Sequence, residues 1–171
     1  MGPMKDMSWF QNLLEHINDS AVVGVGVGTF LTVLIQSSAA TIAILQNLYA
    51  DGALSLQGAL PVLFGDNIGT AITTAALAMV GSNIAAKRVA ASHVLFNVIG
   101  TIICLIALVP YGAFIQYLET TLGLEPKMTI ASAHGTFNIL NTILQFPFIS
   151  LLVVIVTKII PGEDEQIKYS T

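Results

Sequence analysis

Apolar positions along this chain run in long stretches, each with polar residues at its centre or its ends. Residues 4–18 are the exception. Met7, Phe10, Leu13, Leu14 and Ile17 recur there at helical spacing among polar neighbours, which predicts a short amphipathic helix. Trp9 suits a membrane–water interface, and Asn18-Asp19-Ser20 offers a cap for the next helix. Residues 21–50 form one apolar stretch interrupted by Gln36-Ser37-Ser38-Ala39-Ala40-Thr41. Gly24, Gly26 and Gly28 on alternate positions would suit a strand, but an open strand edge cannot sit in lipid. A helix whose glycines admit a close neighbour is the better reading. Each flank of the polar centre has about 15 residues and rises roughly 22 Å as a helix, too short for a hydrocarbon core of about 30 Å. Two short helices meeting at a polar tip, a re-entrant hairpin, are therefore preferred to one long tilted span with a polar patch.

Asp51-Gly52 reads as a turn. The next stretch, 54–81, is interrupted by Gly65-Asp66-Asn67-Ile68-Gly69-Thr70 and predicts a broken span; Ser82-Asn83 and Lys87-Arg88 close it. Residues 89–109 read as a full span and 110–127, with Glu119 and Glu125, as a polar connection. Residues 129–157 form a last span with Pro147 as a kink, and 161–171 form a polar tail.

Composition turns this pattern into a fold class. Of 171 residues, 54% are hydrophobic and only 9% charged, against about 25% charged in soluble domains. Between Ala21 and Leu118 the charged residues are Asp51, Asp66, Lys87 and Arg88, and between Met128 and Thr157 there are none. The expectation is an all-α, polytopic membrane protein: an interfacial helix over 1–20, a helical bundle over 21–160, and a cytoplasmic tail, multi-pass in the plasma or inner membrane. Lys87-Arg88 and Lys158 mark cytoplasmic ends, placing the 110–127 segment outside. A re-entrant 21–50 then puts the N-terminal helix outside too. The net charge of −4 comes with no basic block, which argues against nucleic acid as a partner. A lone Cys104 excludes an intrachain disulfide and a cysteine metal cluster. Met1 to Ser20 lacks the apolar core of a signal peptide.

Polar groups at membrane depth carry the candidate chemistry, because each costs several kcal/mol if unpaired. Asp66 is the sharpest case. An intramembrane carboxylate faces a cavity or a partner; the plainer reading is a helix-break carboxylate near water or held by backbone amides. Gln36, Ser37, Ser38 and Thr41 concentrate hydroxyl and carboxamide oxygens that can replace the water shell of a hard cation such as Na⁺. Amides at a broken helix's N-terminal end can bind an anion, the logic of discontinuous helices in secondary transporters. The alternative is that these serines only join helices. A second pattern, H-x-x-F-N, occurs at His93-Phe96-Asn97 and again at His134-Phe137-Asn138. Its members share one helix face, so the asparagines can line a site while the histidines read as interhelical contacts. The chain contains no H-E-x-x-H, P-loop or G-x-S-x-G, and an enzyme is not expected.

Three motifs in order, Gln36-Ser37-Ser38-Ala39-Ala40-Thr41, Gly65-Asp66-Asn67-Ile68-Gly69-Thr70 and Ala91-Ser92-His93-Val94-Leu95-Phe96-Asn97, resemble the sodium/phosphate cotransporter family, its bacterial members above all, over roughly residues 4–160. The resemblance implies two inverted repeats, each with a Q-S-S re-entrant tip and a G-x-N-I-G-T broken helix, with phosphate and sodium bound between the tips. It makes Gln36, Ser37 and Ser38 phosphate or sodium contacts, and lines the same site with Asn67 and Thr70. Thr41, Asn97 and Asn138 complete the candidate set, and Asp66 is a sodium candidate or a structural residue. Ala39 departs from the family's third serine, and Asp66 from its usual small residue. One Q-S-S tip is present, so the chain reads as half a transporter that needs a second repeat half or another copy. The expected function is sodium-coupled phosphate transport with no organic cofactor. The alternatives are a non-transporting fragment or partner subunit, and transport of another anion.

Overall fold

The structure, a computed structural model, describes residues 7–162 and is helical throughout. The amphipathic segment forms α1, Ser8–Asp19, burying Ile17; the predicted start at residues 4–6 lies outside the described residues, as does the acidic run 163–165. Ser20 then opens α2, Ala21–Ile35, its hydroxyl accepting from the Val23 amide at 3.4 Å.

The chain breaks where the polar tip was expected. Gln36 ends α2 in a left-handed conformation (φ 56°), the sole non-glycine positive φ among the described residues, with its amide donating to Thr32 O at 2.7 Å. Ser37 is extended, and its hydroxyl accepts from the Ala40 amide at 3.3 Å, capping α3, Ser38–Ala50. A serine one residue after a left-handed stop is a sequence-encoded restart: one helix closes on Gln36 and the next opens on Ser37.

Two expectations are corrected. The predicted break at Gly65–Thr70 is absent: α4 runs without interruption from Leu56 to Met79, with Ser55 as its cap and Pro61 inside it. Gly65 and Gly69 do not turn the chain. A Cβ on Gly69 would lie 2.7 Å from Thr29 O, and one on Gly65 would overlap Val25 O and lie 2.8 Å from the Thr29 amide, so these glycines admit α2. The 110–127 segment is likewise not a polar connection. After α5, Ile84–Ile106, capped by Asn83 and holding Lys87 and Arg88 near its start, α6 occupies Leu108–Leu122 and buries Tyr111, Gly112 and Ile115. Pro110 falls in the first turn of α6, where a missing amide costs nothing. The last stretch is α7, Pro126–Gln145, then a 3₁₀ turn at Phe146–Phe148, then α8, Ile149–Ile159. The turn contains Pro147, at the expected kink.

Helix α4 is the axis of the molecule. Ala59, Leu60, Leu63, Phe64, Asp66 and Ala71 on it are fully buried, and its most extensive contact is with α2. Phe64 stacks on Phe137 of α7 at 5.2 Å and meets Tyr111 of α6 edge-on at 5.5 Å. The Tyr111 hydroxyl donates to Ala133 O at 2.6 Å. On α5, Gly100 leaves room for the Asn141 carboxamide, which with Gln145 bonds Phe96 O. Leu56–Met79, Ile84–Ile106 and Pro126–Ile159 are long and apolar enough to cross a membrane. Val89, Ile102, Ile106, Ile139, Ile143 and Val153 are exposed along the last two, as lipid-facing positions would be.

Because the α2–α4 contact has no room for a methyl group, Gly65→Ala is expected to destabilise the protein by about 2 kcal/mol. Gly26→Ala, whose added Cβ meets nothing within 4 Å, should not destabilise and should gain up to about 1 kcal/mol from alanine's helix propensity. Thermal unfolding of both variants in detergent measures the difference.

Candidate functional site

The glycine seam fixes what stands beside the tip. One turn beyond Gly28, where a Cβ would overlap Val62 O, Thr32 points from α2 into α4. Its Oγ1 donates to Asp66 Oδ1 at 2.7 Å and lies 3.0 Å from Thr41 Oγ1 of α3. All three side chains are buried, Asp66 completely. Asp66 Oδ2 is buried without a hydrogen-bond partner among the described residues. Isolated carboxylates are not kept in apolar surroundings without compensation, which a proton or a cation at this oxygen would supply.

Asp66 lines a cavity of about 250 Å³ with Ser38, Asn67, Thr70, His93, Phe96, Asn97, His134 and Asn138. The polar groups come from four helices. Ser38 Oγ, in the first turn of α3, is 3.1 Å from Thr70 Oγ1, which also lies 2.9 Å from Asp66 O. Asn67 donates to Leu63 O at 2.9 Å, and its Oδ1 accepts from His134 Nε2 at 3.3 Å. Asn97 and Asn138 each donate to the carbonyl of the histidine four residues earlier, at 2.9 Å in both cases. No group of three His, Cys, Asp or Glu side chains that could hold a metal occurs among the described residues. The cavity thus offers one carboxylate among hydroxyl, carboxamide and imidazole groups.

Not every expected residue comes to this cavity. Gln36 lines a second one of about 430 Å³ with Thr70, Thr73, Thr74, Val33 and Leu77. Thr70 is common to both and stands between them. Ser37 lines neither, its hydroxyl being used as the α3 cap. Thr41 is 1% exposed and acts behind Asp66 rather than at a cavity wall. Ser38, Asp66, Asn67, Thr70, Asn97 and Asn138 are brought together as a set. His93 and His134, read as interhelical contacts, also line the cavity. Thr32 was missed. Its signal was a hydroxyl one turn past Gly28 in an otherwise apolar run.

The family described as Na⁺/Pi-cotransporter matches residues 6–125. The chain belongs to the sodium/phosphate cotransporter family. YqeW of Bacillus subtilis, a protein without an assigned function, is 33% identical over 162 residues, covering 95% of this chain and 51% of YqeW. Sodium-dependent phosphate transport protein 2A of Oryctolagus cuniculus is 29% identical over 159 residues, covering 87% of this chain and 24% of its own length. YjbB of Salmonella typhimurium, whose name proposes inorganic phosphate export, is 25% identical over 163 residues, covering 95% of this chain and 29% of YjbB. The chain therefore spans about half the length of YqeW and less of the other two. No solved structure matches it with significance. Among the residues within the family match, Asp66 and Thr32 form the buried pair beside the tip.

The geometry makes a prediction about water. In a Cys104→Ser background, Asn138→Cys should react with a small water-soluble thiol reagent, because position 138 is exposed and faces the cavity. Thr41→Cys, at a position 1% exposed, should stay unmodified until the protein is denatured. Mass spectrometry of the labelled chain reads both.

Proposed function

We propose that this chain supplies one repeat half of a sodium-coupled transporter that carries inorganic phosphate inward. It is multi-pass in the plasma or inner membrane, with the tip at Gln36–Ser37 re-entering from the outer side and the Lys87-Arg88 end cytoplasmic. A second, inverted half completes the site. The observation that carries this reading is the meeting of Ser38 at the start of α3 with Asp66, Asn67 and Thr70 of α4 around one cavity. Family membership supports phosphate as the cargo, and the name of the rabbit relative supports sodium dependence.

The coupling has an electrostatic reason. A bare carboxylate at Asp66 repels phosphate, and the repulsion is strong where water is scarce. Sodium on Asp66 Oδ2 makes the pair neutral, and an anion can then approach. Phosphate takes its hydrogen bonds from the first amides of α3, which have no intrahelical acceptor, and from Ser38 and Thr70; the Gln36 carboxamide reaches it from the adjoining cavity across Thr70, and Ser37 holds the start of α3 in place as its cap. Asn97 and Asn138 close the far wall. Both ions are cargo. Alternating access moves the tips of the two halves about the site.

The test is uptake of labelled phosphate into proteoliposomes containing the chain, alone and with a second repeat half supplied. Uptake should require sodium and vanish in choline. Gln36→Ala and Asp66→Asn should each lower it at least about tenfold while insertion is unchanged. Equal uptake in choline, or full activity of Gln36→Ala, overturns the assignment.

A further inference from the structure

The sodium reading of Asp66 leaves open what holds its carboxylate, and the geometry points to Thr32 as the residue that aims Asp66 at the ion, with Thr41 setting the direction of the Thr32 hydroxyl. The inference rests on the proposed function above and concerns residues outside the cavity lining.

A threonine hydroxyl has one hydrogen. Thr32 Oγ1 has two close oxygens, Asp66 Oδ1 at 2.7 Å and Thr41 Oγ1 at 3.0 Å. The charged acceptor takes the hydrogen, since hydrogen bonds to ionised groups are shorter and stronger. Thr41 has two acceptors in reach, Thr32 Oγ1 at 3.0 Å and Ser37 O at 3.3 Å, and the shorter contact favours donation to Thr32. The chain of hydroxyls is polarised in one direction: Thr41 to Thr32 to Asp66 Oδ1. It engages one oxygen of the carboxylate and no more.

The other oxygen, Oδ2, is left buried and without a donor among the described residues, on a residue that lines the cavity beside Ser38 and Thr70. A carboxylate held through both oxygens would be a structural ion. One held through Oδ1 alone has a fixed plane and a free lone pair. The bond is also cross-helical: Thr32 is on α2, Thr41 on α3 and Asp66 on α4. The two helices that flank the tip therefore both grip the ion-binding side chain, and the grip exists because Gly28, Gly65 and Gly69 let α2 approach α4.

A purely structural Thr32 would join helices equally well with or without an ion. A positioning Thr32 changes the ion affinity. Thermal unfolding of the purified full chain in detergent, titrated with sodium chloride at constant ionic strength against choline chloride, separates the two. Sodium is expected to stabilise the wild type. Thr32→Val should raise the sodium midpoint at least about tenfold, Thr32→Ser should restore it, and Thr41→Val, which removes the orienting donor but keeps the Thr32 bond, should raise it about threefold. An unchanged sodium midpoint in Thr32→Val overturns the inference even if its stability in choline falls. If Thr32→Val does not fold, an unchanged midpoint in Thr41→Val does the same. Absence of any sodium stabilisation in the wild type instead overturns the cation reading of Asp66 itself, and this inference with it. Sodium stabilisation that persists in Asp66→Asn places the ion elsewhere and overturns both assignments at this residue.

Discussion

The close approach of α2 to α4 is the constraint on which the rest of the structure depends. Gly24, Gly28, Gly65 and Gly69 bring two backbones together where any Cβ would meet Pro61, Val62, Val25 or Thr29. Within lipid no hydrophobic force drives helices together, so packing and interhelical hydrogen bonds must. The same approach that packs the helices lets Thr29 donate to Gly65 O at 3.0 Å and Thr32 to Asp66 at 2.7 Å. Packing and site are one arrangement, and residues without an ionisable group decide where the carboxylate stands.

Around that carboxylate the polar groups divide into two compartments that share Thr70. On one side lie Asp66, Asn67, the two histidines and Asn97 and Asn138. On the other lie Gln36 and the hydroxyls of Thr73 and Thr74, both of which donate to Thr70 O at 2.9 Å. The left-handed backbone at Gln36 is the reason for the split. It turns the chain so that the carboxamide leaves the α3 side, while Ser38 in the first turn of α3 faces α4. Two residues of one motif, Gln36 and Ser38, are thereby delivered to opposite sides of a threonine.

The repeated H-x-x-F-N pattern shows how one local sequence serves two environments. In both copies the asparagine bonds back to its own histidine carbonyl, so the local conformation is the same. Phe137 stacks in the core on Phe64, whereas Phe96 lines the cavity. Asn97 is buried and Asn138 exposed. What differs is the neighbourhood: α7 makes its largest contact with α3 and also meets α4, α5 and α6, whereas α5 makes its largest contact with α4.

Much of this was legible in the chain. Apolar runs without charge fixed helices and a membrane setting, because lipid tolerates no unpaired backbone. The polar centre Gln36–Thr41 marked the meeting of two short helices and Pro147 marked a kink, because runs too short to span and prolines act through local geometry. The three motifs gave the family, and six of the candidate residues meet in one cavity. Glycine in Gly65–Thr70 was misread as a break, since a glycine that admits a neighbour and one that turns the chain look alike in sequence. Pro110 and Glu119 likewise suggested a loop, yet Glu119 accepts from Tyr49 and Thr129 at 3.0 Å and ties α6 to two helices. Only the tertiary structure could show that Thr32, in an apolar run 34 residues before Asp66, holds it. Separation along the chain carries no information about a bond made across two helices, and that bond exists through packing alone.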